Sequence, residues 1–102
     1  MQCDVHRNAD EDSGQIPYLL DIRANLLAEL QTRVMVPLIL ARSFGRKAAR
    51  LHPQFTIDGQ DVVMATHLIA AVREQTSGDA VASLQADREL VPNAIDVLWA
   101  GV

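Results

Sequence analysis

The stretch YLLDIRANLLAELQTRVMVPL, residues 18–38, decides how the rest of the chain is read. Leu19, Ile22, Leu26 and Leu30 fall at helical spacing among strong helix formers, so the pattern predicts a helix. Its flanks say otherwise. Ile16-Pro17 before it and VMVPLIL at its end read as extended chain, with Pro37 better suited to the edge or end of a strand than to a central position. Taken alone, the residues leave the segment open between helix and strand.

Working outward, QCDVHR alternates, with Cys3 and Val5 on one face and Gln2, Asp4 and His6 on the other, as in a half-buried strand. NADEDSG, residues 8–14, then reads as a solvated turn, because a calcium loop would need a downstream glutamate at fixed spacing. Towards the C-terminus, Asp58-Gly59 between β-formers is the signature of a two-residue hairpin turn, with glycine taking the positive φ. Ser77-Gly78 reads as loop. RELVPNAIDVLWAGV closes the chain with a helix of about residues 88–100, starting within a few residues of Pro92, carrying Ile95, Leu98 and Trp99 on one stripe and ended by Gly101.

Composition narrows the function. One domain spanning residues 1–102 is expected, with an aliphatic core, since hydrophobic residues make up 49% of the chain and aromatics 4%. Thirteen acids against nine bases give a net charge of -4, which opposes a general nucleic-acid coat. The one basic concentration, Arg42, Arg46, Lys47 and Arg50, reads as a solvated loop or short helix rather than a phosphate-binding patch. Cys3 is the single cysteine, no secretory leader pattern is present, and no apolar run approaches the ~20 residues of a membrane span. These point to the cytoplasm.

Motifs for catalysis are missing. His6, His52 and His67 are far apart in sequence, without the spacing of helix-borne metal ligands, and no phosphate loop or nucleophile elbow occurs. His67, in ATHLIAAV, reads as an exposed or hydrogen-bonded strand histidine. No metal, no cofactor and no catalytic residue are expected. The apolar ending AIDVLWAGV, where frayed polar residues would be ordinary, reads instead as a contact surface.

Three blocks together resemble the CcdB family of toxin–antitoxin toxins. MQCDV is similar to that family's first strand, LDIRANLLAELQTRVMVPL to its stretch leading into V-x-P-L, and NAIDVLWAGV to its terminal helix ending in aliphatic-x-Gly-Ile/Val. The resemblance implies a mainly β fold, an SH3-like barrel of the CcdB/Kid/MazF kind with a small additional sheet and a C-terminal helix, assembled as a homodimer. It also implies strand for Tyr18 to Ala24 and a loop for Asn25 to Gln31 that presents Leu26 and Leu27.

In function, the resemblance implies a non-enzymatic toxin that binds the DNA gyrase A subunit, traps the gyrase–DNA cleavage complex and is removed by a cognate CcdA-like antitoxin. Nucleic acid would be met only through gyrase or the antitoxin complex. The gyrase-facing residues would be Leu26, Leu27, Asp96, Trp99, Ala100, Gly101 and Val102. Ala100 stands where the family pattern has tryptophan, Asp96 where asparagine is frequent, and Cys3 where an aromatic is typical. Two other readings compete: a MazF/Kid-like endoribonuclease on the same barrel, which needs a basic groove, and an inactive dimeric structural module that buries its own tail.

Overall fold

A computed structural model describes residues 4–9, 14–22, 32–73, 77–84 and 89–100. Seven strands and one helix run in the order β1 (Asp4–Asn8), β2 (Tyr18–Asp21), β3 (Thr32–Leu40), β4 (Gln54–Ile57), β5 (Gln60–Met64), β6 (Ala70–Arg73), β7 (Ser77–Ser83) and α1 (Leu90–Ala100). The sheet is antiparallel in the order β4-β5-β3-β2-β1-β7 and curls into a half barrel. The mainly β expectation with a C-terminal helix is met.

The small additional sheet does not stand apart among the described residues. β6 pairs with the first half of β3, Thr32 to Met35, and β5 pairs with its second half, Leu38 to Leu40, so the extra strand branches from the main sheet. Pro37 sits at this changeover, against the expectation of an edge or a strand end. The N and C=O of a strand residue point to the same side. The Pro37 carbonyl accepts from Ala65 N at 3.0 Å, so its ring nitrogen also faces the gap between β5 and β6, where no donor is needed.

Tyr18–Asp21 is strand, not the first turns of a helix. The reason is the partners on both sides: Leu20 lies opposite Val5 of β1 and Val36 of β3, and two ladders plus burial outweigh helix propensity. Ile22 N–H still donates to the Val34 carbonyl, and Arg23 and Ala24, the rest of the expected strand, lie outside the described residues. Residues 25–31, with Leu26 and Leu27, likewise lie outside the described residues.

The core fills the hollow of the curled sheet. Val5, Leu20, Val36, Leu38, Val62 and Met64 are fully buried there, and Phe55 and Ile57 close it from β4. Val91 and Ala94 of α1 seal it, with Ile95 packed alongside. The opposite sheet face is dry too at its centre, where Leu19, Met35 and Val63 are buried.

Two turns follow contrasting rules. Asp58 at φ 51° and Gly59 at φ 77° join Ile57 to Gln60 as expected for the hairpin. Ser77-Gly78, expected as loop, instead begins β7, whose ladder with β1 carries two register irregularities. A Cβ on Gly78 would lie 3.2 Å from the Arg7 carbonyl oxygen, so this glycine serves a close backbone approach and not a turn.

The turn yields a stability prediction. Gly59→Ala should cost about 1 kcal/mol by urea denaturation, because a Cβ is strained at positive φ. Gly14→Ala, where nothing lies within 4 Å and φ is not positive, should cost nothing measurable.

Candidate functional site

Helix α1 begins where Asn93 N donates to the Glu89 carbonyl, which places Pro92 in the first turn, where its missing N–H is not needed. Packing then splits the helix into two faces. Val91, Ala94, Ile95 and Leu98, at i, i+3, i+4 and i+7, are buried or half-buried against the sheet and the 3-10 turn Thr66–Leu68. Trp99 does not share that stripe as expected. It is 89% exposed, while the other exposed large hydrophobic residues among those described, Leu68 and Leu90, reach only 46% and 45%.

Around Trp99 the free face is polar and small. Asp96 and Ala100, four residues apart, are both exposed and line a hollow of about 170 Å³ with Asn93, Val97 and Arg50. Arg50 comes from the basic stretch and was not foreseen as a neighbour of the helix. The structure thus brings Asp96, Trp99 and Ala100 together at one helix end. Gly101 and Val102, like Leu26 and Leu27, lie outside the described residues.

A family model described as CcdB protein matches residues 2–101. The chain belongs to the CcdB family. Membership makes it a toxin of the toxin–antitoxin kind. No match was found among curated proteins. Among the described residues no helix of this CcdB protein is long and apolar enough to cross a membrane, and no group of three or more metal-ligating side chains occurs.

A second cluster lies beside the helix-bearing edge. His52 and His67, remote in sequence, meet with His52 Nε2 2.9 Å from His67 Nδ1, and the Phe44 ring sits edge-on to His52 at 4.8 Å. His67 belongs to the 3-10 turn and not to a strand, as had been expected. The hairpin causes the meeting: Ile57 pairs with Gln60 and Gln54 with Val63, so the open ends of β4 and β5 carry residues 52 and 67 to one another. Two bonds fasten the junction, Met64 N to the Pro53 carbonyl and Thr66 Oγ1 to the Leu51 carbonyl.

The proton positions follow from the bonding. Ala48 N–H donates to His52 Nδ1 at 3.0 Å, so His52 carries its hydrogen on Nε2 and donates it to His67 Nδ1. Both rings are neutral in this arrangement. Burial, and secondarily the neighbouring His67, hold the His52 pKa below its ordinary 6.5.

This has a definite sign in stability. Between its folded value and 6.5, His52 binds more protons in the unfolded chain, so its contribution is complete above about pH 6.5 and is lost as pH falls through the folded value. The urea midpoint should therefore drop from pH 7.5 to pH 5.5, at about those settings, and drop less in His52→Gln.

Proposed function

We propose that this CcdB-family toxin binds the DNA gyrase A subunit through the free end of α1 and traps the complex in which DNA is cut, without itself catalysing a reaction. The carrying observation is the exposure of Trp99 beside Asp96 and Ala100 on the helix face that the fold leaves unused. Large aromatics with one side against a flat polar surround are the residues that anchor interfaces once a partner covers them. Leu26, Leu27, Gly101 and Val102 complete the proposed surface by their place in the family pattern.

One helix end offers too little area for specific binding, since stable interfaces bury on the order of 800 Å² per partner. The active form is therefore a homodimer that sets two such ends side by side. A cognate CcdA-like antitoxin releases it, using a segment that folds on contact and so can spread over an occupied surface. Both partners meet the toxin in the cytoplasm.

The ribonuclease alternative has less support. The two histidines are bonded to each other, and His52 uses both ring nitrogens, so they do not stand on opposite sides of a space for a phosphodiester. A gyrase cleavage assay beside an RNA cleavage assay separates the readings. Trp99→Ala should weaken gyrase trapping about thirtyfold, the equivalent of about 2 kcal/mol, and change stability by no more than about 0.5 kcal/mol. Trapping at the wild-type concentration by a protein lacking residues 100–102 would remove the helix end as the site.

Ala100 supports a second test. Ala100→Trp restores the family's ring and should tighten binding by about tenfold or more to a gyrase of the type poisoned by toxins that carry tryptophan there. Against the host's own gyrase, matched to alanine, the same ring should bring no gain. Titration of each gyrase in a supercoiling assay measures both.

A further inference from the structure

The His52–His67 pair borders a cleft of about 390 Å³ that the gyrase reading leaves unused. Ile39, Ser43, Phe44, Arg46, His52 and His67 line it. It is a shallow, open hollow, accessible to a small anion from solvent. No carboxylate is among the lining residues, although the chain as a whole carries a net charge of -4.

The basic residues nearby are disposed unequally. Arg42 lines a separate hollow with Asp61, Arg50 lines the α1 hollow with Asp96, and Lys47 Nζ donates to Gln54 Oε1 at 2.6 Å. Arg46 alone of the four lines the histidine cleft. The cleft takes Ile39 from β3, Ser43 and Arg46 from the segment after it, His52 from the approach to β4 and His67 from the 3-10 turn. Positive charge in the cleft is therefore not balanced from within it.

Now add one proton to the pair. If it goes to His52 Nδ1, the bond from Ala48 N–H is lost; if it goes to His67 Nδ1, two N–H groups face each other and the bond between the rings is lost. Either way a bond breaks and a cation appears beside Arg46. An external anion would offset both losses, by accepting from the freed N–H and by screening the like charges.

We propose that this cleft is a binding site for a phosphate group, taken up together with a proton on the His52–His67 pair. Arg46 supplies the planar fork that fits two phosphate oxygens, the Ser43 hydroxyl a neutral donor, and the protonated imidazole the second positive charge. Phe44, edge-on to His52, walls the apolar side. Because anion and proton are taken up together, each strengthens the binding of the other. Occupancy falls as the pair loses its proton.

Titrating the full chain with inorganic phosphate against chloride at matched ionic strength tests this, with the His52 and His67 ring signals followed by NMR. Phosphate should raise the pH at which His52 takes its proton, and calorimetry should show binding about tenfold tighter near pH 5.5 than near pH 7.5. Arg46→Gln, at an exposed position, should remove the phosphate effect with the fold intact, and His52→Gln combined with His67→Gln should reduce its pH dependence to that of phosphate's own ionisation. Displacement of phosphate by a short DNA duplex assigns the group to a nucleic-acid backbone, and displacement by a mononucleotide alone assigns it to a free ligand. Ring titrations that are the same in phosphate and chloride, or a phosphate effect that survives Arg46→Gln, would overturn the proposal. Gyrase trapping is measured separately, so neither reading stands or falls with the other.

Discussion

Strand β3 has nine residues with which to serve β2 along one edge and two different strands, β6 and then β5, along the other. That double pairing is the constraint on which the architecture rests. It works because Pro37, which has no N–H, stands where one partner leaves and the next arrives, while its carbonyl holds Ala65 at the start of the link between them. Any other residue there would bring an N–H into the gap with no ladder partner, at a typical cost of about 1–3 kcal/mol if buried. The link so held contains the 3-10 turn that carries His67 and supports α1. Strand pairing, the histidine junction and the helix seat are thus consequences of one branch point.

How much of this could be read from the sequence depended on how local the cause was. Asp58-Gly59 announced its hairpin because positive φ at two adjacent residues is a demand that few dipeptides meet. Tyr18–Asp21 misled, since its helix-like spacing is real and only the ladders on either side, formed by residues far along the chain, decide against it. Ser77-Gly78 misleads for the opposite reason: its composition is that of a turn, while the use of the glycine is to let Arg7 approach. The family resemblance corrected the first error by supplying the tertiary context that a single window lacks.

The site shows the same division. Asp96 and Ala100 fall together because four residues separate them on a helix, which sequence spacing shows directly. Sequence spacing groups Trp99 with Ile95 and Leu98, yet Val91, Ala94, Ile95 and Leu98 make the packing stripe and leave the ring outside. The histidine junction leaves no local signal, because hairpin register and not a spacing within one helix brings the two rings together. Counting outward from the Asp58-Gly59 turn would have brought residue 52 opposite residue 65, two residues short of His67.

That counting has an evolutionary corollary. The segment 41–52 leaves β3 and reaches β4 without joining a ladder, so a residue gained or lost there keeps the sheet register, although it shifts the side chains that line the cleft. The two-residue turn has no such freedom. One extra residue would slip β4 by a single position against β5, turn Phe55 and Ile57 out to water and carry His52 past His67. Among descendants of this chain, length variation should be purged most strongly at Asp58-Gly59, so the turn serves as the molecule's gauge block against which the cleft and the core are both cut.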